Sequence, residues 1–202
     1  MLILRSAPSS PFVRKIRIAA SVLGVDDEIA IEPADTVNPS DTVRQQNPLG
    51  KIPALVLEDG MVLFDSRVIL DYLDHRAGGG VIVPKDPGAR FGALRLQALA
   101  DGIMDASILL VYEGRWRPSE RHESKWLEHQ AGKVARALAS LEAAPPELEA
   151  IPHVGAIALA CALGYRDFRF GETWRKDHPH LVAWLDQFAA RVPAFAATKP
   201  TG

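Results

Sequence analysis

The feature that most constrains this chain is a change of hydrophobic period part-way along it. Up to about residue 77, short apolar runs and alternating stretches are interleaved with helical repeats, whereas beyond residue 87 almost every segment repeats at helical spacing. Such a switch predicts an α/β unit over residues 1–77 and an all-α unit over residues 87–202. Between them, Gly78-Gly79-Gly80 and the Pro84 to Pro87 stretch interrupt both patterns and read as a linker over 78–86. With 202 residues, each unit can bury a core.

Within the first unit, Met1 to Arg5 is apolar and ends in Ser-Ala-Pro-Ser-Ser-Pro, a strand followed by a turn. Pro11 suits the first turn of a helix. Val13, Ile16, Ala20 and Leu23 repeat along that helix, and Gly24 closes it. Glu28 to Glu32 alternates as a strand does. Ala54 to Leu57 and Met61 to Phe64 flank Glu58-Asp59-Gly60, a hairpin signal. A helix then runs from Ser66 to about Arg76, with Val68, Ile69, Tyr72 and Leu73 expected inward. The resulting order is β-α-β, an irregular stretch, then β-β-α.

The second unit opens with a helix from about Pro87 to Arg117, with Leu96, Leu99, Ile103 and Leu110 on one side. Leu127, Ala131, Val134, Leu138 and Leu141 form the cleanest amphipathic stripe, ended by Pro145-Pro146. Val154 to Leu163 is apolar nearly all round, which predicts a central buried helix. His178 to Arg191 supplies the last one.

Composition narrows the function. A net charge of -2 gives no concentrated basic face for nucleic acid. No stretch has the apolar length of a membrane span, and no signal peptide is expected. The single cysteine, Cys161, excludes an internal disulfide or CxxC pair, which fits a reducing cytosol, and in its apolar helix it reads as packing. The histidines lack metal spacing: His178 and His180 flank Pro179 and read as surface or capping residues, so no metal is expected.

Three short stretches of the first unit carry chemistry. Ser9-Ser10-Pro11-Phe12 lies where a strand hands over to a helix, whose unpaired N–H groups and partial positive charge stabilise an anion. A serine here either caps the helix or donates to a thiolate and lowers its pKa. Asn47-Pro48-Leu49-Gly50-Lys51-Ile52-Pro53-Ala54-Leu55 leads into a strand; with a cis Ile52–Pro53 bond, the Ile52 backbone would pair with an extended peptide and Lys51 would meet a carboxylate. Asp65-Ser66 opens a helix, where Ser66 and the following amides can hold a carboxylate. Asp65 there holds an ammonium group or simply caps.

In this order and spacing, ahead of an all-helical half, the three stretches resemble the glutathione transferase family, serine-type and theta/zeta-like among bacterial members. The likeness spans essentially the whole chain. It implies a thioredoxin-like N-terminal domain, a cis Pro53, glutathione as co-substrate, a homodimer and a cytoplasmic role in detoxification. Carried over by position, Ser66 takes the γ-glutamyl carboxylate, Asp65 the ammonium, Ile52 the cysteinyl backbone and Lys51 the glycyl carboxylate, with Phe12 beside them. Ser10 is the catalytic hydroxyl by the same carry-over and Ser9 its rival; the hydroxyl is a donor to sulfur, not a nucleophile. Cysteine-type relatives carry a cysteine at this helix start, and the maleylacetoacetate isomerase branch carries Ser-Ser-Cys-Ser; this chain has neither. Family members also open the buried helix with a Ser/Thr-x-x-Asp capping box. His153 and Ala156 stand at those positions, and neither is expected to do that job.

An apolar small-molecule electrophile is expected between Phe12 and the first helices of the second unit. Its candidate walls are Met104, Ile108, Tyr112 and Trp116, spaced four apart, with Tyr165 and Phe168 beyond the buried helix. Inter-helix core is the alternative for Met104 and Ile108, while Tyr112 and Trp116, with Arg115 and Arg117 around them, are the better pocket candidates. Asp101 or Asp105 would reach across the dimer toward the neighbour's glutathione. Two rival readings stay open: a non-catalytic glutathione-binding stress protein, and a glutathione-dependent isomerase or dehalogenase.

Overall fold

The computed structural model of the chain describes residues 1–201. In the first half, β1 (Leu2–Ser6) leads into α1 (Pro11–Leu23), β2 (Ile29–Pro33), the one-turn α2 (Val43–Gln46), the hairpin β3 (Ala54–Val56) and β4 (Val62–Leu63), and α3 (Ser66–Arg76). The sheet order is β2-β1-β3-β4, with β1 parallel to β2 and antiparallel to β3. This is the four-stranded mixed sheet of a thioredoxin-like domain. Helices α1 and α3 pack together, closing Ile16, Ile69, Leu70 and Leu73 over Leu2, Leu4 and Leu55. Val68 is exposed and Tyr72 only half-buried, contrary to expectation. The face that meets α1 runs through positions 69, 70 and 73, so Leu70 takes the place assigned to Val68.

Glycines 78, 79 and 80 all adopt positive φ (102°, 75° and 85°), conformations that side chains with a Cβ resist. The turn they make is no free spacer. The buried carboxylate of Asp74 accepts hydrogen bonds from the N–H groups of Gly80, Val81, Ile82 and Val83 at 2.7–3.3 Å. Ile82 and Val83 are thereby held in the core, and the Ile82 carbonyl receives the N–H of Val154 at 2.9 Å.

The second half consists of α4 (Pro87–Trp116), α5 (Ser124–Ala143), α6 (Val154–Phe170), α7 (Pro179–Arg191) and the short α8 (Pro193–Ala197). Every residue of α6 from Val154 to Tyr165 is buried, as its all-round apolar pattern predicts. On α5, Ala131 is exposed and Gln130 buried in its stead, and on α4 Leu99 is partly exposed. Cys161 lies in the core, where burial pushes its thiol up to about 12 and makes it inert.

The expectation that nothing at position 153 caps α6 is corrected. His153 is the N-cap: its Nδ1 accepts from the N–H groups of Gly155 at 3.1 Å and Ala156 at 3.2 Å. A neutral imidazole nitrogen offers the same lone pair as a serine oxygen, so two orphan donors are satisfied. Burial holds the ring's pKa below its ordinary value and so keeps that lone pair free. The start of α7 is satisfied by a neighbour, since Glu142 accepts from the N–H groups of His180 and Leu181 at 2.9 and 3.0 Å.

Two buried cations of α1 fasten the halves together. Lys15, fully buried, donates to Asp101 of α4 at 2.6 Å. Arg14 donates to the Phe195 carbonyl at 2.6 Å and lies 3.9 Å above its ring.

Candidate functional site

The site begins at the first turn of α1. Ser10 is its N-cap, with Oγ accepting from the N–H of Val13 at 3.3 Å. Capping and donation are compatible: a hydroxyl has one proton and two lone pairs, and the cap uses a lone pair only. The O–H of Ser10 is free to point into the open cleft that Ser9, Ser10, Pro11 and Phe12 line.

The next wall is the loop before β3, where the Ile52–Pro53 bond is cis. Asn47, buried, fixes this loop from within: Nδ2 donates to the Lys51 carbonyl at 2.9 Å and Oδ1 accepts from the N–H of Leu49 at 3.0 Å. Gly50 turns the chain with φ +61°, leaving Lys51 exposed at the rim. Asn47 was legible as part of the Asn-Pro-Leu-Gly run, but its buried positioning role was not.

Asp65 and Ser66 open α3 at the end of the same cleft. Asp65 caps the helix through the N–H of Arg67 at 3.0 Å, and its carboxylate also pairs with the Arg67 guanidinium at 2.9 Å. Burial works to raise the Asp65 carboxyl, but hydrogen bonds from the Arg67 side chain and backbone outweigh it, and the group sits below the ordinary aspartate range. Asp101 lies beneath them and Asp105 at the junction. Burial, reinforced by the Asp101 carboxylate, lifts the Asp105 carboxyl above its usual value despite the pull of Lys51, Arg67 and Lys15. Within the chain, Asp101 is paired with Lys15 and Asp105 lines the cleft. Arg67 is the participant that sequence reasoning missed, though it directly follows the Asp-Ser pair.

These groups surround two connected hollows. One of ≈ 130 Å³ lies over Pro53, Asp65, Ser66 and Arg67; the other, ≈ 520 Å³, runs from Ser9 and Ser10 to the far helices. Phe12, Lys51, Ile52 and Asp105 border both, so an extended ligand can occupy the two at once. The far wall consists of Ile108, Leu109, Tyr112 and Arg115 of α4 and Tyr165 and Arg169 of α6. Met104 and Trp116 are corrected: Met104 is fully buried in the core and Trp116 is 60% exposed outside the cleft. Successive steps of four residues each turn a helix by about 40° beyond a full circle, so four such positions drift around it. Alternating steps of three and four (Asp105, Ile108, Tyr112, Arg115) hold one face. Phe168 also stands off the cleft, under the Arg169 guanidinium at 4.2 Å.

A separate cavity of ≈ 240 Å³ between α1, β2 and α8 shares no residue with this cleft. Among the described residues no cluster of His, Cys, Asp or Glu could hold a metal ion, and no helix is long and apolar enough to cross a membrane.

Fold and cleft together define the class: a thioredoxin-like domain with a cis-proline loop, facing a helical domain across an open hollow. Comparison with known proteins gives the family. Residues 9–76 match the glutathione S-transferase N-terminal domain and residues 124–187 the glutathione S-transferase C-terminal domain. The chain is 36% identical over 197 residues to the uncharacterized GST-like protein YibF of Escherichia coli K12, covering 95% of each. A glutathione transferase family member from Pseudomonas fluorescens Pf-5, solved with bound glutathione, superposes with a TM-score of 0.94 at 47% identity over 100% of both chains. A second structure from that organism, at 46% identity and TM-score 0.89 over 100% of both chains, holds S-(propanoic acid)-glutathione. The chain belongs to the glutathione S-transferase family.

Proposed function

We propose that this protein is a glutathione transferase whose Ser10 hydroxyl holds the glutathione thiolate for attack on a small electrophile. The observation that carries the reading is the free O–H of Ser10 at the N-terminus of α1, lining the larger hollow next to Phe12 and Ile52, which border the smaller one as well. In that reading the γ-glutamyl carboxylate meets Ser66 and the first amides of α3, and Asp65 takes the ammonium group in place of Arg67. The cysteinyl backbone pairs with Ile52, and Lys51 neutralises the glycyl carboxylate. Glutathione bound in a relative at 47% identity supports glutathione as the ligand of this cleft.

Positive potential from the helix start and one charge-assisted hydrogen bond favour the ionised sulfur, so the thiol proton leaves to solvent before the chemical step. The thiolate then forms a carbon–sulfur bond as the leaving group departs with its electron pair, or as the electrons of an activated double bond move onto its acceptor end. We take the two halves as separate domains meeting in segment 78–86, and the protein as a cytosolic homodimer. The exposed Val68 of α3 and Phe91 and Leu99 of α4 support pairing. Calorimetry with glutathione and turnover of 1-chloro-2,4-dinitrobenzene test the reading. Micromolar to low-millimolar binding with turnover that falls in Ser10→Ala is expected. Failure to bind glutathione at millimolar concentration overturns it; binding without turnover across a broad electrophile panel favours the non-catalytic rival.

A further inference from the structure

The charges around the larger hollow do not balance. Its lining carries Lys51, Arg115 and Arg169 against a single acid, Asp105. Lys51 is committed to the tripeptide in the reading above, which leaves two guanidinium groups on the far wall. Among the described residues neither Arg115 nor Arg169 has a carboxylate within salt-bridge reach. The Nε of Arg169 is buried without any hydrogen-bond partner. Of the arginines nearby, Arg117 is neutralised by Glu113 at 2.9 Å and Arg175 by Asp167 at 2.7 Å, while Arg166 donates to the Ser107 hydroxyl at 3.3 Å.

The two free arginines come from different helices, yet each sits one helical turn from a tyrosine of the same wall. Arg115 lies 5.2 Å from the Tyr112 ring and Arg169 6.0 Å from the Tyr165 ring, with Phe168 beneath it at 4.2 Å. Stacking on rings limits the ways a guanidinium can turn and leaves its forked edge for a ligand. That fork matches a carboxylate in two parallel bonds. Ile108, Leu109 and the tyrosine rings supply the apolar surface around it. We infer that the second substrate is an electrophile bearing a carboxylate, seated with its acid on Arg115 and Arg169 and its reactive carbon toward Ser10. The inference rests on the glutathione transferase reading for where the sulfur lies.

A matched pair of substrates tests it: 4-chloro-3-nitrobenzoate and its methyl ester. With either, the thiolate attacks the ring carbon bearing chlorine, the carbon–sulfur bond forms, and chloride leaves with the bonding electrons. The expected result is a KM at least about tenfold lower for the acid, since each charge-assisted contact is of that order, while kcat follows ring activation and favours the more electron-withdrawing ester. The KM advantage should vanish in the Arg115→Gln, Arg169→Gln double variant and persist in Arg117→Gln. Calorimetry with the corresponding glutathione conjugates, acid and ester, reads the same preference without turnover. Equal binding of the two conjugates by the wild-type protein overturns the inference. So does a double variant that keeps the acid preference while losing affinity for glutathione itself, because the arginines would then serve the tripeptide. Acid-selective conjugate binding with neither chloride consumed would overturn the transferase reading alone.

Discussion

The two walls of the cleft are built by opposite means. On the thioredoxin-like side the working groups are backbone amides, helix caps and one loop, each made within a few consecutive residues: Ser10-Pro11, Asn47 to Pro53, Asp65-Ser66. On the helical side they are side chains of α4 and α6, brought together only by the packing of those two helices. The close approach that packing needs is visible at Gly155, where a Cβ would come within 2.5 Å of the Ala93 carbonyl. A wall of backbone presents nearly the same surface whatever the neighbouring side chains are, which suits an invariant tripeptide. A wall of side chains changes with single substitutions, which suits a variable second substrate.

The comparison can be broken most forcefully where the walls are joined. Asp101→Asn leaves the Lys15 ammonium buried without its partner. The cost should be about 3–5 kcal/mol in urea unfolding, because an uncompensated buried charge loses solvation that nothing returns. A loss below about 1 kcal/mol would mean that the pair does not hold α1 to α4. Next, Ser10→Ala should raise the pKa of bound glutathione and slow turnover at neutral pH about ten- to hundredfold, for one charge-assisted bond of about 1–3 kcal/mol. The rate should recover at alkaline pH, where the thiol ionises unaided. A flat loss at all pH values, or the same pH shift in Ser9→Ala alone, would move the donor role away from Ser10. Removing the carboxylate with Asp74→Ala orphans four amides of the inter-half turn and should cost on the order of 1–3 kcal/mol of stability.

The smallest effect sharpens the comparison on the helical side. His153 has a folded pKa below its unfolded value of about 6.5, so the unfolded chain takes up a proton first as pH falls. The stability this cap contributes is full above pH ~6.5 and is lost as pH falls from there through the folded value. His153→Ser should keep the cap and abolish that component of the acid sensitivity. His153→Ala should cost about 0.5–2 kcal/mol at pH 7.5 and show the same flat profile. Unchanged acid sensitivity in His153→Ser would assign the effect to other groups.

These expectations mark how much of the molecule could be read from residues alone. Element order was legible because it rests on local signals: a cap, a proline, a turn glycine. The cis Ile52–Pro53 bond and the gathering of Ser10, Lys51, Ile52, Asp65 and Ser66 around one cleft followed only from the family resemblance, since an X-Pro bond is seldom cis by itself. The imidazole cap of α6 was not legible, since histidine at an N-cap works only when burial keeps it neutral. Arg67 and Arg169 were passed over as cleft residues, and Arg115 was read only as a neighbour of Tyr112 and Trp116, since an arginine on a helix usually faces water.

By itself, the sequence determined the period switch, the helix starts and the motif order, all consequences of bonds and sterics acting within a few residues. Only the tertiary structure decided that Met104 goes to the core, that Trp116 stays in solvent, and that Arg115 and Arg169 face one hollow, where the lining offers the single acid Asp105. The physical reason is that the direction of a side chain on a long helix depends on which face its partners cover. That face is chosen by the sum of many distant contacts, which no local pattern contains.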